Sequence, residues 1–314
     1  MIDDEANETR EAGWSEAFSE RAATYWTQPR IDELTRGKTL AVTPHEAPLL
    51  LRALGILHRD ASMPPKERRK FFQINHMVAM IMPTMRDLAA TGRTVRVVDA
   101  ACGASYLTLL LGWSFKHRLH CEVEVLGVDR NEALMQASRQ RTRIAGLGAL
   151  VKHHAASLAA TDVSDAWMHA FGAPLERIDV LVALHACDTA TDDAIVLGCD
   201  LGAHLLAVAP CCQAELAASW AAQSAPSHAM SSMQKSPHLR RELGALTTDT
   251  MRMLLLRSRG YETWALEFVP TEHSAKNRLL RAVLRGAPDV NARAEYGALR
   301  DATGGVGIAL ADRL

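Results

Sequence analysis

Two apolar runs of this chain each open into residues that can do chemistry. Ile178-Asp179-Val180-Leu181-Val182-Ala183-Leu184 leads into His185-Ala186-Cys187-Asp188-Thr189, and Leu205-Leu206-Ala207-Val208-Ala209 leads into Pro210-Cys211-Cys212. If the two runs are neighbouring strands, His185, Cys187, Asp188, Cys211 and Cys212 converge on one site. Three chemistries suit such a set. Zinc accepts imidazole and thiolate, but adjacent Cys211 and Cys212 with His-x-Cys lack the spacing of established sites, so no metal is expected. A thiolate attacks a base or a carbonyl when a neighbouring His or a helix N-terminus lowers its pKa. The preferred reading is a shaped, mostly neutral pocket that positions an acceptor oxygen or nitrogen while His185 or Asp188 takes the proton. Each residue also has a plain structural account: cysteine packs as a small buried group, and Asp188 or Thr189 caps the next helix.

A second constellation lies upstream. Val95-Arg96-Val97-Val98-Asp99 reads as a strand buried on both faces, and Ala100-Ala101-Cys102-Gly103-Ala104-Ser105 as a turn of small residues opening a helix. Such a turn lets a ligand approach the backbone at a helix N-terminus, where unpaired N–H groups and the helix dipole meet polar atoms. Val123-Glu124-Val125-Leu126-Gly127-Val128 then ends in Asp129, twenty-six residues after Gly103. That position suits an acidic partner of ribose hydroxyls. Taken alone, Asp129 reads as the N-cap of the following helix, and one carboxylate can serve both roles. The next strand ends near His153-His154-Ala155-Ala156-Ser157, where Ser157 stands in place of an acidic residue. Between the last two strands, Lys276 and Asn277 can contact phosphate or orient an acceptor, or serve as plain turn residues.

Elements must hold these groups, and the periodicity supplies them. Strands are predicted at 95–99, 122–128, 150–154, 178–184, 204–209, 261–269 and 278–285, with helices at 105–117, 131–145, 190–201 and 238–259. This alternation predicts an α/β fold, a Rossmann-like sheet of seven mostly parallel strands with helices on both faces. A helix over 66–90 precedes it, with Ile74, Met77, Val78 and Ile81 facing the core and Gln73 and His76 left beside the first strand. Residues 1–40 read as short helices forming a lid or cap. Thr43-Pro44-His45-Glu46 reads as a capped helix start, with Leu49, Leu50, Leu54 and Leu57 as its apolar stripe. Residues 217–236 read as a flap or weak helix and 289–314 as one or two closing helices. The expected organisation is a helical extension or cap (1–65), a central domain (66–288) and a helical tail (289–314).

The composition sets bounds. Hydrophobic residues make up 48 % of 314, ample for a core. Lys plus Arg (35) nearly equal Asp plus Glu (36), and the net charge of −1 gives no global pull toward nucleic acid or an anionic membrane. Binding to nucleic acid must then use local basic patches, at Lys66–Lys70, Arg240-Arg241 and Lys276–Arg281. Six cysteines without metal-finger spacing, and no signal peptide, point to a reduced cytoplasmic protein. No apolar run has the length of about 20 residues needed to span a bilayer.

Together, the turn Asp99–Thr108, Gly127-Val128-Asp129, Leu184–Asp192, Ala209-Pro210-Cys211-Cys212 and the helix segment Arg69–Asn75 resemble class I S-adenosylmethionine-dependent methyltransferases. More narrowly, they look like the branch containing tRNA acceptor-stem ribose 2′-O-methyltransferases and related methyltransferase-like proteins. The resemblance covers residues 66–285. It implies S-adenosyl-L-methionine as cofactor, with its methionine part over the 99–105 turn and its ribose on Asp129. The implied cofactor contacts are Gln73, Asp99, Ala101, Cys102, Gly103, Ser105, Tyr106, Asp129, Arg130, Ser157 and Leu184. Methyl transfer would occur at the ends of the fourth and fifth strands, among His185, Cys187, Asp188, Cys211, Cys212, Lys276 and Asn277. Ala101 and Ser105 stand where the family's turn usually has glycine, and the Cys/His finger segments of the tRNA enzymes are absent. The expected activity is methyl transfer to RNA. A small metabolite or protein acceptor is the alternative from the same fold, and a catalytically idle cofactor-binding module the alternative from another class.

Overall fold

In a computed structural model, the chain is described at residues 2–158, 162–184, 186, 189–210, 212–223, 228–267 and 278–314. Its contacts divide it into two units, residues 1–174 and 175–314.

The first unit holds helices α1 (Ile2–Tyr25), α2 (Gln28–Thr35), α3 (Pro48–Ala53) and α4 (Pro65–Ala89). They are followed by β1 (Val95–Ala100), α5 (Tyr106–His117), β2 (Val123–Asp129), α6 (Glu132–Ile144), β3 (Val151–Ala155) and α7 (Val163–Phe171). The strands run in the order β3-β2-β1, and both pairs are parallel. Val95, Val97 and Val98 of β1 and Val125, Leu126 and Val128 of β2 are buried. The strands therefore read as near-continuous apolar runs, as sheets covered on both faces do. On α4, Phe71, Ile74, Met77, Val78 and Ile81 are buried, the stripe expected from their spacing. Asn75 on the same face is also fully buried, because it is satisfied twice: its Oδ1 accepts the Val42 N–H at 2.9 Å and its Nδ2 donates to the Phe71 carbonyl at 3.0 Å.

Three expectations need correction here. Residues 2–25 form one helix rather than several short ones, since no proline interrupts them before Pro29. The helix expected from Thr43-Pro44 begins only at Pro48. A proline at position 48 has no N–H for the carbonyl of residue 44 and its ring would strike that carbonyl, so 43–47 close as a turn and the helix restarts with proline in its first turn. Helix α7 was not foreseen, although Asp162 caps it by accepting the Ser164 and Asp165 N–H groups and Gly172 ends it in the left-handed conformation.

The second unit holds β4 (Val180–Leu184), α8 (Thr189–Asp200), β5 (Leu205–Ala209), α9 (Glu215–Ala222), α10 (Ser231–Lys235), α11 (Pro237–Ser258), β6 (Tyr261–Glu267), β7 (Arg278–Leu284) and α12 (Ala292–Ala302). Its strand order is β4-β5-β7-β6. β4 and β5 are parallel, and β7 runs against both of its neighbours, so β6 points the same way as β5. The chain thus has the seven-stranded, mostly parallel α/β architecture of Rossmann-like type. The segment expected as a flap or weak helix carries α9 and α10.

One polar cluster crosses this unit. The fully buried Arg252 of α11 donates to Asp192 of α8 at 2.7 Å and to Asp249 at 3.2 Å; Asp249 also accepts from Arg278 of β7 at 2.5 Å and from Gln213 at 3.0 Å. Charges taken out of water are tolerated only when paired, and removing one partner leaves the others buried and uncompensated. Arg252→Met is accordingly expected to lower stability by about 3–5 kcal/mol. The urea midpoint measures this, and an unchanged midpoint would show that the guanidinium sustains neither carboxylate.

Candidate functional site

The first unit builds its site at the carboxyl ends of β1 and β2. Between Ala100 and Tyr106 the chain must leave a strand and enter a helix, and it does so by placing three residues in the left-handed region: Ala101 (φ 56°), Gly103 (φ 52°) and Ser105 (φ 59°). Glycine adopts this conformation freely, whereas a residue with a Cβ carries a cost of about 1–3 kcal/mol. The two positions where glycine was missed in the sequence therefore keep the glycine conformation without the glycine.

Side chains from elsewhere hold the turn. Asp129 Oδ2 accepts the Gly103 N–H at 2.8 Å across twenty-six residues, and Oδ1 accepts the Asn131 N–H at 2.9 Å. Asp129 is not the cap of α6. That role belongs to Asn131, whose Oδ1 accepts the Leu134 N–H at 3.1 Å, because Asp129 is still the last residue of the strand. Arg141 donates to the Ala104 carbonyl at 3.2 Å. Beneath the turn, Thr108 donates its hydroxyl to Asp99 Oδ2 at 2.5 Å, and the backbone N–H of Thr108 also bonds this carboxyl. Asp99 thereby covers the first turn of α5, which Ser105 leaves without a side-chain cap. Asp99 is 1 % exposed and its Oδ1 has no partner, a buried polar atom in need of one.

Asp99, Gly127 and His153 share one row of the sheet. Gly127 sits there because a Cβ would meet both Cys102 Sγ and His153 Nδ1 at 3.0 Å. His153 is buried; its Nε2 lies 2.7 Å from Thr142 Oγ1 and its Nδ1 3.4 Å from Ser105 Oγ. Thr142 gives its own proton to the Ser138 carbonyl, so the assigned tautomer is Nε2–H donating to Thr142, with Nδ1 free to accept from Ser105. The strand that ends near Ser157 thus contributes an imidazole that braces the turn, while Ser157 itself is exposed.

The remaining cofactor candidates are scattered in exposure. Gln73 and Leu184 are half-buried on α4 and at the end of β4, and Arg130 is exposed. Tyr106 is half-buried with Lys70 Nζ 5.3 Å from its ring centroid. Cys102 packs against Met135, sulfur to sulfur at 3.8 Å, and burial pushes its thiol well above the usual range. That makes it a packing group, not a nucleophile.

In the second unit, β4 and β5 are in register with Leu184 beside Ala209, so the neighbour condition for the His/Cys set holds. Of that set Cys212 is exposed. His185, Cys187, Asp188 and Cys211, and Lys276 and Asn277 before β7, lie outside the described residues. Among the described residues no group of three His, Cys, Asp or Glu side chains is placed to hold a metal ion. No helix among them is long and apolar enough to cross a membrane.

Residues 69–219 match the family model of a methyltransferase domain. The matched segment runs from α4 through α9 and includes both the braced turn and the His/Cys set. No curated protein matches the chain. Solved structures that resemble it include the DszA carbon methyltransferase, at 15 % identity and a TM-score of 0.43 over 83 % of this chain and 64 % of that one. The METTL16 methyltransferase domain is similar at 13 % identity and a TM-score of 0.41 over 76 % and 77 %. The [4+2]-cyclase SpnF is similar at 16 % identity and a TM-score of 0.29 over 40 % and 43 %. The chain thus spans less than two thirds of the length of the cyclase and of the carbon methyltransferase.

The two buried titratable groups of the site oppose each other in pH. Burial raises the Asp99 carboxyl from 3.8 to about 7, while burial, with Arg139 and Arg141 nearby, lowers His153 from 6.5 to about 4. Between about pH 4 and 6.5 the native state therefore holds a proton on Asp99 that the unfolded state has lost. Over the same window the unfolded state holds a proton on His153 that the native state lacks, so the two slopes cancel. Asp99→Asn removes only the first slope. Its stability should rise with pH from 4.5 to 6 more steeply than that of the parent, by about 1.4 kcal/mol per pH unit. Denaturant titrations at both pH values measure it, and parallel profiles would mean that Asp99 is ionised when folded.

Proposed function

We propose that the chain is an S-adenosylmethionine-dependent methyltransferase acting on RNA. The observation that carries the cofactor reading is the Asp129 carboxylate at the end of β2, bonded to the Gly103 N–H of a turn whose left-handed residues are all small. Each Asp129 oxygen accepts one backbone N–H and keeps a second lone pair for a ribose hydroxyl. The unpartnered Asp99 Oδ1 suits the ammonium end of the same molecule. The methyltransferase-domain match over 69–219 points the same way.

When bound, the cofactor would supply an electrophilic methyl group carried on a sulfonium. The protein's part in this is to hold the acceptor in line and to receive its proton, work assigned to His185 or Asp188 beyond β4. Asp129 and the small-residue turn would hold the other reactant, so little covalent chemistry falls to the chain itself.

For RNA as acceptor, the support is the motif resemblance and the basic run that opens α4, where Lys66, Arg68, Arg69 and Lys70 are exposed. The second reading is a small-molecule or protein acceptor, favoured by the third basic patch. There Arg278 is paired with Asp249, and Arg281 lies 5.0 Å over the Trp264 ring.

Calorimetry with S-adenosylmethionine is expected to register binding to the native chain. Asp129→Ala should weaken it at least about tenfold, the size of one charge-assisted hydrogen bond, while His185→Ala lowers turnover and leaves affinity intact. Methyl-labelled cofactor offered with separate RNA, protein and metabolite pools should label RNA. Absence of binding defeats the enzyme reading; label found only outside RNA defeats the choice of acceptor.

A further inference from the structure

A groove of about 580 Å³ runs along β3 between α6 and α7, entirely within the first unit. This size falls within the range of about 300–1,000 Å³ typical of small-ligand sites. Its floor is apolar, from Leu126, Val151, Ala166 and Ala170. Its rim carries Arg139, Arg143, Lys152, His154 and His169, and among the described residues no carboxylate lines it.

Two of the rim cations are held on backbone carbonyls. Lys152 Nζ donates to the Gly148 carbonyl at 2.7 Å, and Arg139 donates to the His153 carbonyl at 3.3 Å as well as to Glu132 at 3.0 Å. His169 Nδ1 is tied to the Asp165 carbonyl at 2.8 Å, which directs Nε2 away from its own helix. Arg143 is exposed at this rim. On the α7 side, Asp162 is spent on the Ser164 and Asp165 amides, while Asp165 is itself exposed one turn before His169. Positive charge held on backbone carbonyls around an apolar floor is the arrangement that recognises an anionic head on an uncharged body.

We propose that this groove binds a phosphate ester, with the phosphate on Arg143 and Lys152 and the organic body on the Leu126–Val151 floor. Gly103 and Asp129 do not line it, although His153, which braces Ser105 of the turn, does, and the proposal does not rest on methyl transfer. The same chemistry is offered by a free nucleotide and by the backbone of a nucleic-acid strand.

Calorimetry on the full chain with uridine monophosphate, uridine and an oligouridylate distinguishes these sources. Uridine monophosphate should bind at least about tenfold more tightly than uridine, the effect of one or two charge-assisted hydrogen bonds. Combined Arg143→Gln and Lys152→Gln should abolish that preference with unchanged thermal midpoint and unchanged S-adenosylmethionine affinity. If the double variant fails to fold, Arg143→Gln alone, at an exposed position, should remove most of it. Binding of the oligouridylate but not of the mononucleotide, lost in the same variants, supports the site and names a strand as its ligand. Equal affinity for uridine and its monophosphate without oligouridylate binding, or phosphate-dependent binding that survives both variants, overturns the proposal.

Discussion

A chain that leaves a buried strand and enters a helix within five residues has to turn in the left-handed region, and the first unit depends on that turn being held. Ala101 and Ser105 bear the conformational cost that glycine would avoid, and the surroundings offset it bond by bond. Asp129 fixes Gly103 from β2, Arg141 fixes Ala104 from α6, and His153 reaches Ser105 from β3. Three elements that follow the turn in sequence are thus needed to stabilise it. The cofactor site proposed here is preorganised by the same bonds, since the groups that would meet a ribose already have fixed positions.

The two acidic residues of the site differ in their surroundings. Asp129 is half-buried and accepts two backbone N–H groups, while Asp99 lies below it with one oxygen satisfied by Thr108 and the other by nothing. Desolvation then holds Asp99 near neutrality in charge at ordinary pH. An arriving cation would move this balance toward the ionised form of Asp99, because a buried carboxyl has much to gain from a partner.

What the sequence made legible follows the distance over which each feature is decided. The valines of β1 and β2 and the small residues between them are local signals, and strand, turn and helix lie within a residue or two of the expected bounds. So do α4 and its buried stripe. Pro48 displaced the start of α3 through a clash with the carbonyl of residue 44, a local rule that the apolar stripe overshadowed. Asp162 and Gly172 mark the two ends of α7, a cap and a left-handed stop around a helix of nine residues. The His153–Ser105 contact spans forty-eight residues and depends on the register that sets Gly127 beside His153, which no local pattern encodes. That β4, β5 and β6 all point one way is likewise a matter of topology, set by strand pairing rather than by any local pattern.

Asn75 has a consequence for how the first unit comes apart. Its amide is sealed from water and spends its oxygen on the backbone of Val42, so lifting residues 40–43 away strands a polar group inside α4. Trp26 repeats the arrangement one layer out, donating its indole N–H to the Ala61 carbonyl. Fraying of the N-terminal extension is therefore not a local event. The segment from Trp26 to Asn75 opens as one cooperative block, and the slowest-exchanging amides of the extension should belong to the same unfolding unit as the middle of α4.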